Sequence, residues 1–336
     1  MFRRLVAGLL VFGFLAATSV PALAQKDKDK DKKKDDKPGA AGELKWKLEK
    51  DKVFYQTMET KTVQTMKIMG NDVNQTQTQK FYFSWKPTKV EADKATIEQE
   101  ILGVSMDIEI GGSRISYDST KDTTANNPLG DFFKALVGSK FTIDLDTKNL
   151  KVTKVDGKDA FIKKLVAANP QMKQLLEQIL SDDALKEMAE PTFAVIPTGG
   201  QTKKGEKWSR KTTLNMGPIG TYNNTYNYEM VGPEGKEDSE VVRIKVETVL
   251  EYKEPGDAGG AGGLPFKIKS AKLTSSAPSG SILFNKKKGR LEKSEAKLTL
   301  KGNLSIEIGG QVTAVELSQT QDSTITTSDT DPRPKK

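Results

Sequence analysis

The 336 residues contain no cysteine and no histidine. Without cysteine there is no structural disulfide, no thiolate metal site and no lipid-modified cysteine of the kind that anchors a bacterial lipoprotein. Without histidine the usual proton shuttle at neutral pH is missing, together with every Ser-His-Asp or Cys-His nucleophile and the commonest transition-metal ligand. The enzyme chemistries that survive are a carboxylate pair, a lysine or an oxygen-ligated metal. After about Val20 the chain also lacks any long apolar run, so no later segment is expected to span a membrane as a helix. Charge of one sign is not in great excess. The formal +8 falls to about +6 without Arg3 and Arg4 and is mixed with many acidic groups, which reads as a solubilising surface and not as a nucleic-acid partner site.

What is present begins with a leader. Met1-Phe2-Arg3-Arg4 puts positive charge ahead of an apolar run from Leu5 to about Val20, short of the ~20 residues a spanning helix needs. Ala22-Leu23-Ala24 then offers a cleavage site before Gln25, so residues 1–24 read as a signal peptide and the mature chain as extracytoplasmic, periplasmic or secreted, and not membrane-spanning. Residues 26–37 are lysine and aspartate throughout, with no apolar residue to offset ordering entropy, and Pro38-Gly39-Ala40-Ala41-Gly42 follows, so 25–42 read as a disordered linker. At about 3.3 Å per residue it could reach about 60 Å, as spacer or tether. A disordered tail is expected over 328–336.

Between these tails the period is two. Ala296, Leu298, Leu300, Leu304, Ile306 and Ile308 share one face of a long segment, with Lys297, Thr299, Lys301 and Glu307 on the other. Val242, Ile244, Val246, Thr248, Leu250 and Tyr252 repeat the pattern, as do Leu102, Val104, Met106, Ile108 and Ile110, and Tyr222, Tyr226, Tyr228 and Met230 give an aromatic version. The segments from Val53 to Met69 and from Lys80 to Trp85 are strand-like. Gly111-Gly112 and Gly309-Gly310 permit the positive φ angles of two-residue hairpin turns. Met106 to Gly112 echoes Leu304 to Gly310, which suggests two related halves or two amphipathic strands entering similar hairpins.

Helical spacing concentrates in the middle. Asn127-Pro128 opens a short helix through Leu136; Asp159 to Ala168 places Phe161, Ile162 and Leu165 on one face; Asn169-Pro170 opens a run carrying Met172, Leu175, Leu176, Ile179 and Leu180; Ser181 caps a last helix stopped by Pro191. The expected fold is mainly β, a β-rich α+β protein built on a large curved antiparallel sheet or half-barrel with a short helical insert. Its segments are an N-terminal β half over 43–157, the insert over 158–197 and a C-terminal β half over 198–327. The insert covers the apolar face of the sheet or lines a cavity.

The candidate chemistry is sparse, and no catalytic, cofactor-binding or metal-ligating residue is assigned. Glu98 with Glu100, and Asp107 with Glu109, are same-face acid pairs at a spacing a glycosidase could use, but they fall on the face expected to meet water. Asp144-Leu145-Asp146 begins like a calcium loop and fails at Lys148 and Val155, so a turn is expected. Gly256 to Gly263 lacks the register of a phosphate loop and reads as a flexible linker. The candidate ligand-facing residues are Phe81, Phe83, Trp85, Tyr222, Tyr226, Tyr228, Phe161, Leu165 and Leu176, which could wall an apolar cavity or simply form core.

Asn126-Asn127-Pro128-Leu129, Phe132-Phe133-Lys134-Ala135-Leu136-Val137-Gly138 leading to Phe141, the element from Pro197 through Gly205-Glu206-Lys207-Trp208, Gly217-Pro218-Ile219-Gly220 and Leu264-Pro265-Phe266 together resemble an uncharacterised family of exported bacterial proteins, a domain of unknown function. The resemblance implies an exported β-rich protein and supplies no active-site residues. At the level of fold alone, a curved sheet with helices on its concave face is similar to periplasmic lipoprotein carriers and related lipid binders. The expected function is a non-enzymatic envelope protein that binds an apolar or amphipathic ligand, such as a lipid, or an envelope protein. The alternatives are a scaffolding module pairing through a Thr/Gln-rich edge at Asn74 to Gln79, and a histidine-free glycan hydrolase. No cofactor is expected.

Overall fold

The structure, a computed structural model, describes residues 42–121, 130–256, 264, 266–276 and 279–334. The expected signal peptide, nearly all of the expected charged linker, the expected helix start at Asn127-Pro128 and the glycine-rich loop over 257–263 lie outside the described residues.

Period-two patterning yields fifteen described strands. They are β1 (Gly42–Glu43), β2 (Phe54–Ile68), β3 (Asn71–Val90), β4 (Lys94–Ile110), β5 (Ser113–Asp118), β6 (Lys140–Asp146), β7 (Lys151–Asp156) and β8 (Gln201–Thr202) in the first part of the chain. They continue with β9 (Lys207–Asn215), β10 (Thr221–Pro233), β11 (Val241–Lys253), β12 (Lys267–Ser275), β13 (Ser279–Asn285), β14 (Arg290–Ile308) and β15 (Gln311–Ser328). Thirteen of them form one antiparallel sheet in the order β7-β6-β4-β3-β2-β15-β14-β12-β11-β10-β9, with β5 paired to β4 and β13 bridging β11 and β14. The sheet curves without closing into a barrel, because β7 and β9 do not pair. Strands from both ends of the chain meet at its centre, where β2 pairs β15 from Tyr55 with Ser328 to Ile68 with Val315.

Curvature comes from the right-handed twist of long strands and from bulges. One bulge lies opposite Tyr82 and Phe83 on β4, where Ile101 and Gly103 are the paired residues and Leu102 is the extra one. It corrects the simple alternation read from sequence: Ile101, not Leu102, turns inward. At the crossing of β14 and β12, Gly302 has φ +153°, and a Cβ there would sit 2.0 Å from the Lys272 carbonyl, so only glycine fits. Gly111-Gly112 and Gly309-Gly310 all have positive φ, as their hairpins require.

Four described helices lie between β5 and β8: α1 (Gly130–Leu136), α2 (Lys158–Ala168), α3 (Lys173–Ile179) and α4 (Asp182–Phe193). Asn169 accepts from the Gln171 N–H ahead of the short 3₁₀ turn Pro170–Met172, and Ser181 accepts from the Ala184 N–H at the start of α4. Pro191 does not stop α4 as the sequence suggests. It sits in the last turn, where its missing N–H removes one bond near a helix end and leaves the rest intact.

α4 spans the gap between the two free edges of the sheet. The Glu190 carboxylate accepts from the Val152 N–H on β7 at 3.1 Å, and the Glu187 carboxylate accepts from the Thr213 N–H on β9 at 3.1 Å. Two edge strands that would otherwise present unpaired N–H groups are thereby covered by one helix.

The core divides in two. One cluster is solid: Leu44 and Trp46 of the N-terminal segment, Phe54, Trp85, Phe193, Tyr226, Tyr228, Ile244 and Phe284 plug one end of the curved sheet. Trp46 donates its indole N–H to the Phe193 carbonyl at 2.8 Å and meets the rings of Phe193 and Phe284 edge-on at 5.5 and 5.6 Å. The other cluster gathers under the helices, with Phe81, Ile101, Phe132, Phe141, Leu165 and Leu176 among its members.

The tail is not loose up to Pro334. β15 runs to Ser328, Asp329 pairs with Lys288 at 2.9 Å and Arg290 at 2.6 Å, and Arg333 donates to the Leu102 carbonyl at 3.1 Å. Polar composition suggested disorder there; specific charge partners on neighbouring strands order it instead.

Candidate functional site

The helices do not fill the concave face they cover. Between them and the sheet lies a chamber of ≈ 280 Å³, just below the ~300–1,000 Å³ usual for small-molecule sites. Its sheet wall is formed by Met58, Phe81, Phe83, Trp85, Ile101 and Phe141, with Ile143 and Ile325. Its roof comes from Phe132 and Leu136 on α1, Phe161 and Leu165 on α2, Leu176 and Ile179 on α3, and Leu185, Met188, Ala189 and Thr192 on α4. Among the described residues the only polar side chains at its surface are Gln56, Gln99 and Thr192, and no charged side chain lines it. Such a chamber can hold an apolar body by dispersion and by exclusion of water, and a bare charge inside it would have no counter-ion.

The aromatic geometry is regular. Phe81 and Phe83 stack with ring centres 5.8 Å apart, and Phe141 meets Phe161 edge-on at 5.0 Å, tying sheet to helix. Trp85 stacks on Phe54 at 6.1 Å and meets Phe193 edge-on at 5.9 Å, so it belongs to the solid plug on one side and to the chamber wall on the other. Its indole N–H is buried without a hydrogen-bond partner.

Six of the nine residues singled out from sequence meet in this chamber: Phe81, Phe83, Trp85, Phe161, Leu165 and Leu176. Tyr222, Tyr226 and Tyr228 do not reach it. They stand on β10 near the far end of the sheet, where Tyr226 and Tyr228 are packed in the solid core, and burial pushes the Tyr228 hydroxyl's pKa well above its ordinary value. Sequence reading missed Met58, Ile101, Ile325 and the inner face of α4. Ile101 was hidden by the bulge; Leu185, Met188, Ala189 and Thr192 were visible as a stripe at helical spacing.

Beyond Met58, Phe81 and Ile325 the same face of the same three strands turns polar. Pairing sets the rows: Thr60, Gln79 and Ser323; then Thr62, Gln77 and Gln321; then Gln64, Gln75 and Gln319. All nine are buried, and Met106, Ile108 and Ile110 on β4 and Ala296, Leu298 and Leu300 on β14 flank them. The segment Asn74 to Gln79 is therefore not the free pairing edge its composition suggested. It lies mid-sheet between β2 and β4, its glutamines inward and its Asn74 and Thr76 outward. Gln75 donates to Gln77 and Gln77 to Gln79, both at 3.3 Å, an amide ladder along one strand. Thr62 Oγ1, Gln64 Oε1, Gln75 Oε1 and Gln79 Nε2 are left without partners, at a cost of about 1–3 kcal/mol for each such buried group.

The acid pairs lie on the opposite, outer face. Lys140 bridges Glu98 at 2.9 Å and Glu100 at 3.4 Å, which raises the lysine's pKa, and Asp107 pairs with Arg114. Asp144 and Asp146 end β6 and the expected turn to β7 follows over 147–150, with Asp146 accepting from the Lys148 and Asn149 N–H groups. Among the described residues no group of His, Cys, Asp or Glu could hold a metal ion, and no helix is long and apolar enough to cross a membrane.

A rolled antiparallel sheet roofed by helices over an uncharged apolar chamber is thus the class of protein this chain forms. The chain belongs to the family of unknown function DUF6263, whose model matches residues 92–330; α1 to α4 fall inside that stretch, and β2 and β3 precede it. No curated protein matches it. Among solved structures it is similar to lipovitellin, in a structure concerned with lipid–protein interactions, at 10% identity and a TM-score of 0.44 over 86% of this chain; this chain spans only 27% of that one. It is also similar to DynF from the dynemicin biosynthesis pathway of Micromonospora chersina, at 9% identity and a TM-score of 0.19 over 91% of this chain and 95% of that one. A third is the translocator domain of the autotransporter NalP from Neisseria meningitidis, at 7% identity and a TM-score of 0.19 over 82% and 88%. None of these likenesses is close enough to bear on function.

Proposed function

We propose that this chain is an exported, non-enzymatic binding protein of the bacterial envelope that holds one apolar or amphipathic molecule, such as a lipid chain, in the chamber between α1 to α4 and the sheet. The observation that carries the reading is an apolar chamber of ≈ 280 Å³ between the helices and the sheet, lined, among the described residues, by no charged side chain. Apolar and aromatic surface gathered in a concave pocket of this size is the usual lining of a small-molecule site, and an apolar occupant would remove that surface from water. The two sheet edges covered by α4 and the central position of the glutamine strand speak against the scaffolding alternative. The ion-paired acids on the outer face speak against the hydrolase.

Native mass spectrometry of the protein purified from the cells that make it tests the proposal. The expected spectrum contains a discrete added mass that organic extraction removes and identifies. Protein that is empty, and that takes up no apolar molecule when one is offered, would sink it.

A further inference from the structure

Resting on that reading, we infer that the chamber selects a lipid whose polar part is uncharged and offers oxygen acceptors, such as an acyl ester of a polyol, over the corresponding ionised fatty acid.

The inference starts from polar groups that the fold buries and leaves unpaired on both sides of the chamber. On one side Trp85, a wall residue, carries a buried indole N–H with no partner. On the other, the row Met58, Phe81 and Ile325 belongs to the wall, and the adjoining row on the same face is Thr60, Gln79 and Ser323, about 7 Å away at two residues per repeat. The amide ladder ends there, with Gln79 Nε2 buried and unpartnered. Gln79 is held in the ladder by one bond from Gln77, and turning its amide toward Phe81 breaks that bond and displaces the neighbours that bury it, Thr60 and Met106 among them. Turning over all three amides of the ladder would leave an acceptor at Gln79 and the free donor at Gln75, and a polyol hydroxyl would then donate to Gln79 where an ester oxygen otherwise accepts from it.

These groups are donors and acceptors without charge. Among the described residues no lysine or arginine lines the chamber or stands in the nine-residue polar block, so a carboxylate or phosphate drawn inside would lose its hydration without gaining a counter-ion. An ester or hydroxyl oxygen loses far less, and it can accept from the Trp85 indole or the Gln79 amide N–H once a side-chain shift uncovers that group to the chamber. The arrangement is apolar space for the chain and neutral hydrogen bonds for the head.

The test uses the full mature chain loaded with the uncharged apolar fluorophore N-phenyl-1-naphthylamine. The probe is displaced either by monolauroylglycerol or by laurate at a pH where laurate is ionised. The ratio of the two half-displacing concentrations is taken within each protein, so that a change in fluorophore affinity cancels. Monolauroylglycerol should act at about tenfold lower concentration than laurate or better, and Gln79→Leu should bring the ratio toward one. Thr62→Val, nearly isosteric and one row deeper, should lower the ratio less, and it carries the test if Gln79→Leu fails to fold. Fluorophore uptake with a wild-type ratio of one, or a ratio unmoved in the folded variants, overturns this inference alone. Absence of any fluorophore uptake overturns it together with the chamber reading.

Discussion

On β3, Phe81 and Phe83 stand against a hollow that Trp85 borders from the plug, whereas on β10 Tyr226 and Tyr228 stand wholly in the solid core. The two stripes have the same period and similar aromatic content, and each faces the inside of the same sheet. What differs is the cover. Over the plugged end lie Trp46 and Phe193, large rings that meet their neighbours edge-on and are themselves buried. Opposite β3, across the chamber, lie four short helices, and Phe161 of α2 reaches the sheet at Phe141. A stripe therefore fixes which face is buried, and the shape of the opposing element decides whether that face becomes core or cavity.

The contrast can be broken by truncation. Phe193→Ala removes a ring locked between Trp46 and Trp85 and should cost about 3–5 kcal/mol in denaturant unfolding. Phe83→Ala, from a half-buried ring already facing open space, should cost well under half as much. Equal losses would mean that the hollow is as tightly packed as the plug.

Filling sharpens it from the other side. Ala189→Leu on α4 points into the chamber and should leave stability within about 1 kcal/mol of wild type, while Ala95→Leu in the solid core should lose about 1–3 kcal/mol. If Ala189→Leu is the more damaging of the two, the chamber is not free volume.

A smaller effect is expected where α4 meets the sheet edge. Burial raises the pKa of Glu187 above its ordinary value, opposed by the bond it accepts from the Thr213 N–H. The folded state thus binds this proton more tightly than the unfolded state. The cost of the ionised carboxylate is fully present above the folded pKa and disappears as pH falls through it. Glu187→Gln, whose amide oxygen can keep the Thr213 bond, should be the more stable protein at neutral pH, with the advantage fading in mild acid. Urea unfolding at the two pH values checks this; a variant less stable at neutral pH would show that the charge on that bond outweighs its burial.

The smallest change should follow Glu98→Gln on the outer face, within about 0.5 kcal/mol, because its pair with Lys140 is partly exposed to solvent.

Much of this architecture was legible in the residues. Alternation located the long strands, the glycine pairs located two hairpins, and Asn169 and Ser181 marked helix starts, since each depends on local geometry. Six wall residues were legible for the same reason. The polar block was not: a run such as Asn74-Gln75-Thr76-Gln77-Thr78-Gln79 has no apolar face, and only pairing with β2 and β4 in the middle of the sheet buries its glutamines. Nor was the shift at Leu102, which depends on where the partner strand holds Tyr82 and Phe83. The fate of Tyr226 and Tyr228 turned on residues far away in the chain, Trp46 and Phe193 among the cluster they join.

Uptake of an apolar ligand by the helix-roofed hollow is tested by titrating N-phenyl-1-naphthylamine into the chain lacking residues 1–24 and into its Ala189→Trp variant, which puts a large ring into the chamber from α4. Wild type should show saturable uptake at one site, and the folded variant should lose most of it. Uptake that does not saturate, or that is equal in the blocked variant, would contradict the account.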